Sequence, residues 1–323
     1  MTEKAKWAGV GRWLMLLARI GVVVMLYYMI SRKVDINDVK RLLTPEFAAA
    51  LACAVLLNMS QAVACTIRWV TLAGTSIKLP PLLVNIAIYF EGLFFNQALP
   101  SFVGGDAVRV LRWRGFGVGT HDAFVSVFRD RMFGAIGAAL FALLACWQLW
   151  QLPVETYKTL VALVLSLAAL GAGVGLLAVI QSRRITRFFA RMPRIHARLH
   201  RISAAPLGAW TYFKATVYSV LGQVFSGVSV LWIASSIGIE LPALLLVSIT
   251  GIIVVTAMIP ISLAGWGIRE AGFVALLVPL GVGSESAVLL GISLGLASLI
   301  SALMGCLSLI VGYGSARKAT PPS

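Results

Sequence analysis

The stretch Met132-Phe133-Gly134-Ala135-Ile136-Gly137-Ala138-Ala139-Leu140-Phe141-Ala142-Leu143-Leu144-Ala145-Cys146-Trp147-Gln148-Leu149-Trp150-Gln151-Leu152 runs for 21 residues without one charged side chain. At 1.5 Å of rise per residue, a helix of about 20 residues matches the roughly 30 Å hydrocarbon core of a bilayer. In hydrocarbon every backbone N–H and C=O needs a partner within the segment, which a continuous helix supplies. Comparable apolar runs lie at 11–30, 47–67, 159–181, 213–236 and 286–312, so six transmembrane helices are predicted. The whole chain is 59% hydrophobic and 12% charged with a mean hydropathy of +0.92, more apolar than one soluble core could bury. No small-residue cleavage site follows the first run, so it reads as a retained helix and not as a signal peptide. The predicted fold is an all-α polytopic membrane protein, a single domain over 1–323.

Outward from those runs, 82–103 and 243–282 are apolar but interrupted by Pro, Gly and single charges, and they read as re-entrant or discontinuous helices. Loop charge sets the orientation. Seven arginines crowd 183–201 inside a basic segment 183–209, and Arg109, Arg112, Arg114, Arg129 and Arg131 crowd 104–131, whereas Gln151–Tyr157 carries only Glu155. By the positive-inside rule both basic segments are cytoplasmic, and so are both termini. The alternation then closes only if 82–103 enters and leaves from the cytoplasmic side and 243–282 from the other. An internal echo agrees. Pro100 precedes Arg109 by nine residues and Pro260 precedes Arg269 by nine; a Gly stands five after each Pro, and Asp106 or Glu270 lies close to the arginine. Matched broken segments in halves 1–157 and 158–323 are the pattern of an inverted repeat with its site at the repeat interface.

Several classes fall away. Lys and Arg outnumber Asp and Glu by 27 to 12, an excess that topology explains without nucleic acid. Cys53, Cys65, Cys146 and Cys306 lie within apolar segments without paired spacing, and His196 and His200 have no carboxylate nearby, so no metal site is expected. No Gly-rich loop ends in Lys-Ser or Lys-Thr, so no nucleotide or other cofactor is expected. The alternating aromatic and basic residues from Ile185 to Met192 suit a helix resting on anionic headgroups.

An ionisable residue inside a membrane segment is a functional candidate by default. The candidates are Arg19 in the first span, Glu91 and Asn96 in the first broken segment with Asp106 and Arg109 at its end, Asp130 and Arg131, and Arg269 with Glu270 in the second broken segment. Taken singly, Arg68 and Arg131 suit snorkelling to the cytoplasmic interface. Arg269 does not, being the one basic residue between Lys214 and Arg317. Arginine donates in a plane to two oxygens, and helix N-termini opened at Gly104-Gly105 and Gly265–Gly267 would add donors, so a phosphate headgroup is the expected ligand.

Three motifs then stand in order: Phe95-Asn96-Gln97-Ala98-Leu99-Pro100-Ser101-x-x-Gly104-Gly105-Asp106-Ala107-x-Arg109, Ala123-x-x-Ser126-Val127-x-x-Asp130-Arg131, and Gly265-x-Gly267-x-Arg269-Glu270. Together they resemble the transmembrane region of the lysylphosphatidylglycerol synthases, a flippase-like family, and the resemblance covers nearly the whole chain. It implies movement of a lipid between leaflets, and it carries over Asn96, Asp106, Arg109, Asp130, Arg131, Arg269 and Glu270. The chain ends at Ser323 soon after the last run, so a stand-alone member without the soluble aminoacyl transferase domain is expected.

The expected function is therefore a flippase-like carrier of an anionic phospholipid or polyprenyl-phosphate-linked headgroup in the bacterial inner membrane. Glu91 joins the substrate-binding candidates, and no catalytic residue is assigned. The alternatives are a membrane-embedded transferase acting on a lipid-linked sugar or headgroup, with Asp106 or Asp130 as base, and a scaffold for a separately encoded lipid synthase.

Overall fold

A computed structural model describes residues 44–74, 77–98, 104–152, 207–257 and 265–311. The predicted spans 11–30 and 159–181, the basic segment up to residue 206, Arg19, Pro100, Pro260 and both termini lie outside the described residues. Among the described residues all regular structure is helical: α1 (Pro45–Ala73), α2 (Leu82–Ala98), α3 (Gly104–Gly115), α4 (Thr120–Trp150), α5 (Ala209–Ser236), α6 (Ala243–Ala257), α7 (Ile268–Leu277) and α8 (Ser284–Val311), with one 3-10 turn at Val278–Leu280.

Four of these, α1, α4, α5 and α8, are long and apolar enough to cross a membrane, and they fall on the runs at 47–67, 132–152, 213–236 and 286–312. Local chemistry sets their ends. Thr44 caps α1 by accepting the Phe47 N–H at 3.2 Å, with Pro45 at the first helical position, and Gly74 ends the helix at φ 84. The segment 104–131, read from sequence as a loop, is helical instead: α3 occupies its first half, and α4 begins at Thr120, well before its apolar run. Asp106, Arg109, Arg112, Asp130 and Arg131 are paired across helices, which allows helix to continue where composition alone suggests an interface.

Contacts between elements give the directions. Leu72 packs beside Ala215 and Cys65 beside Gly222, so α1 and α5 are antiparallel. Phe133 stacks on Tyr212 and Gly137 meets Ser219, so α4 and α5 are parallel. Ser301 of α8 donates to the Val55 carbonyl; further along both helices, Trp69 and Ser308 flank neighbouring residues of α2, so α8 runs with α1. Close approach rests on small residues, as expected where lipid tails compete for apolar contact. Gly251 abuts the backbone of Ala138 and Ala142, and Gly305 abuts the Phe90 carbonyl.

Two helical hairpins stand at the broken segments: α2, within 82–103, pairs with α3, which lies beyond that segment, and 243–282 holds both α6 and α7. In the first, Asn96 meets Gly105, Glu91 meets Arg112 and Asn85 meets Trp113, so residue numbers fall along α2 as they rise along α3. In the second, Ala257 lies beside Gly265 and Ile253 beside Gly272. The first hairpin joins the C-terminal end of α1 to the N-terminal end of α4. The second joins the C-terminal end of α5 to the N-terminal end of α8. Because α1 and α5 are antiparallel, the hairpins enter the bundle from opposite ends.

Candidate functional site

The candidate residues collect at two separate places. In the first, Asp130 of α4 receives Arg68 Nε on Oδ1 at 2.7 Å and Arg109 Nη2 on Oδ2 at 2.8 Å. Asp106 receives both Nε and Nη2 of Arg131, at 2.8 and 3.0 Å, and stands 3.5 Å from Arg109. Arg68, Arg109 and Asp130 are 6%, 4% and 1% exposed, so these charges are removed from solvent and stabilised by each other. Two rings also flank the Arg109 guanidinium, Trp69 at 4.1 Å and Tyr89 at 4.5 Å, while Trp69 stacks on Trp113. Arg68 thus turns inward to a carboxylate and does not snorkel, because Asp130 faces it from α4.

Glu91 and Asn96 sit on the same hairpin. Glu91 is fully buried and takes both Nε and Nη2 of Arg112, at 2.6 and 3.1 Å, plus the Ser308 hydroxyl at 3.0 Å. Asn96 Oδ1 accepts the Gly105 N–H at 3.0 Å and so serves the start of α3. No added Cβ would fit at Gly105, which lies against the Gly92 carbonyl and the Asn96 side chain. Glu91, Asn96, Asp106, Arg109, Asp130 and Arg131 therefore form one assembly that clamps α2 and α3 to α1, α4 and α8.

Arg269 and Glu270 are elsewhere. Glu270 is fully buried; its Oε2 accepts the Gly267 N–H at the start of α7, and its Oε1 stands 3.5 Å from Arg269 Nη2. Arg269 lies 5.0 Å from the Trp266 ring and against Gly295 of α8, where an added Cβ would displace the guanidinium. Beside it opens a cavity of about 210 Å³ whose polar lining is Asn58, Gln61, Ser226, Thr250, Arg269 and Ser298. Asn58 and Ser298 fall near the middle of α1 and α8, so the cavity lies at mid-depth in the bundle. Ten positions of α1 separate Asn58 from Arg68, which is roughly 15 Å of helix.

Sequence reasoning missed five of those six lining residues. The available signal was polar side chains inside apolar spans, with Asn58 and Gln61 three apart and hence on one helix face. It also missed Trp69, Tyr89 and Trp113, whose role depends on packing between helices.

No curated protein matches the chain. A family model described as the lysylphosphatidylglycerol synthase TM region matches residues 16–305, most of the sequence and all but the last turns of the described helices. With several helices long enough to span and this match, the chain is a multi-pass membrane protein belonging to the lysylphosphatidylglycerol synthase transmembrane region family.

Proposed function

We propose that the protein is a flippase-like carrier that moves an anionic phospholipid or lipid-linked headgroup between leaflets, with the Arg269 cavity as its headgroup site. Family membership ties its function to membrane lipids. The observation that carries the finer reading is the cavity: an arginine and five polar side chains at mid-depth among apolar helices. Isolated polar groups in hydrocarbon are costly, and a small space lined by them at the centre of a bundle suits a transient polar guest. At about 210 Å³ it suits a headgroup, with the acyl chains left in the bilayer. In this reading Arg269 binds phosphate, Glu270 holds Arg269 in place, and the assembly around Asp130 fixes the first hairpin without meeting the headgroup.

The paired carboxylates also weigh against the transferase alternative. Asp106, Asp130, Glu91 and Glu270 each spend both oxygens on arginines, a hydroxyl or a backbone N–H, so none is poised as a general base. The proposed setting is the bacterial inner membrane with both termini cytoplasmic, and a separately encoded lipid synthase is a candidate partner. Opposed hairpins of like build support an inverted repeat.

The test is translocation of a fluorescent anionic phospholipid in proteoliposomes, comparing the parent with Arg269→Ala. Hydrogen bonds to a charged group are worth about 1.5–3 kcal/mol. The expected fall in rate is therefore roughly 10- to 100-fold. An unchanged rate overturns the assignment of the site.

A further inference from the structure

The wall of the Arg269 cavity carries a chemical preference of its own. No described residue lining it is a carboxylate. The nearest acid, Glu270, is fully buried and already engaged by the Gly267 N–H and by Arg269. A cationic headgroup would therefore meet the Arg269 guanidinium in a medium of low dielectric with no free anion to offset it. Nor is there an aromatic cage for an ammonium: the Trp266 ring already stands beside Arg269, and Phe273 is the one described aromatic side chain in the wall.

What the wall does offer is acceptors. Thr250 Oγ1 spends its proton on the Val247 carbonyl at 2.7 Å, and Ser298 Oγ spends its own on the Leu294 carbonyl at 2.8 Å. Each oxygen is left with lone pairs that need a donor from the guest. Asn58 also lines the cavity, and its Nδ2 is buried without a hydrogen-bond partner among the described residues. The lining thus holds a donor suited to phosphate oxygens, Arg269, and two hydroxyl oxygens able to accept from hydroxyl protons.

We infer that the cavity takes a phosphodiester bearing a neutral polyhydroxyl group, such as a glycerol, inositol or sugar phosphate, and rejects headgroups that carry an ammonium. The inference rests on the headgroup site proposed above and names its substrate class. Such a guest comes from a glycerophospholipid or from a polyprenyl phosphosugar. In both the phosphate binds Arg269 while the hydroxyls are accepted by Thr250 and Ser298. A site built to hydrogen-bond hydroxyls rejects an analogue lacking them because its own polar groups are then left unpaired.

The experiment is native mass spectrometry of the full chain in detergent, offered equimolar phosphatidylglycerol, phosphatidylinositol, phosphatidic acid and phosphatidylethanolamine with matched acyl chains, and separately polyprenyl phosphoglucose. Retention of at least one hydroxyl-bearing lipid by about tenfold or more over both phosphatidic acid and phosphatidylethanolamine is expected. Whether the phospholipids or the polyprenyl phosphosugar are retained distinguishes the two sources. The double variant Thr250→Val, Ser298→Ala, which keeps Arg269, is expected to erase the preference over phosphatidic acid while still retaining anionic lipid. Equal retention of phosphatidic acid, or preferential retention of phosphatidylethanolamine, overturns the inference and leaves the headgroup site standing if Arg269→Ala abolishes retention. Retention that is indifferent to both headgroup and Arg269 removes the site and the inference together.

Discussion

Asp130 spends its two oxygens on arginines from two different helices, Arg68 of α1 and Arg109 of α3, and all three side chains are withdrawn from solvent. A pair buried in this way gains little over apolar packing, yet losing one partner leaves the other charge stranded in low dielectric. Asp130→Asn takes the carboxylate from Arg68 and leaves Arg109 only its longer contact with Asp106. It is expected to destabilise the protein by about 3–5 kcal/mol, measured by chemical unfolding in detergent micelles. Arg131→Ala is the contrasting change. Its side chain is 40% exposed and its partner Asp106 keeps Arg109, so a loss within about 1 kcal/mol is expected. Equal costs for the two variants would mean that the buried network does not anchor the first hairpin. Neither change is expected to abolish lipid retention at the Arg269 cavity, whose lining residue Asn58 stands ten positions of α1, roughly 15 Å, from Arg68.

Helix hairpins at this depth depend on residues without side chains. At Gly305 an added methyl would run into the Phe90 carbonyl and the Glu91 backbone, displacing α2 from α8. Gly305→Ala is expected to cost about 1–3 kcal/mol, whereas Gly115→Ala, with open space around it, is expected to be close to neutral. Comparing the thermal midpoints of the two variants in detergent checks this; similar midpoints would show that α8 tolerates the shift. These elements also mark how far the sequence could be read. The spans at 47–67, 132–152, 213–236 and 286–312 were legible because length and apolarity alone identify a crossing helix. The second hairpin was legible as the Gly- and Pro-interrupted segment 243–282, whereas 82–103 covered only α2 of the first. The helical state of α3 was not, because Gly104–Gly115 is polar and is held by partners far away in sequence, such as Glu91 for Arg112 and Asp130 for Arg109. Arg269 and Glu270 stood out by their isolation among apolar residues. Asn58, Thr250 and Ser298 did not, since a polar residue in a span does not reveal which way its helix face turns.

Over the whole molecule the two hairpins have like build and opposite direction. Each begins its second helix at a glycine pair or glycine turn, each sets an arginine beside a carboxylate, and each enters between two spans from its own end of the bundle. Charge is distributed in the same sense: the end holding α3 and the start of α4 carries Arg112, Arg114, Arg129 and Arg131, while the 237–242 turn between α5 and α6 carries only Glu240. The positive-inside rule predicts that the α3 end is cytoplasmic, and with an antiparallel α1 and α5 the 237–242 turn is then expected at the opposite face. Single-cysteine labelling tests this. With Cys53, Cys65, Cys146 and Cys306 replaced by Ala or Ser, Phe116→Cys and Glu240→Cys place a thiol at an exposed position at each end. A membrane-impermeant maleimide added outside intact spheroplasts is expected to modify the cysteine at 240 and to reach the one at 116 only after lysis. Modification of both from the same side would mean that the hairpins share a face, and the inverted arrangement would fall with it.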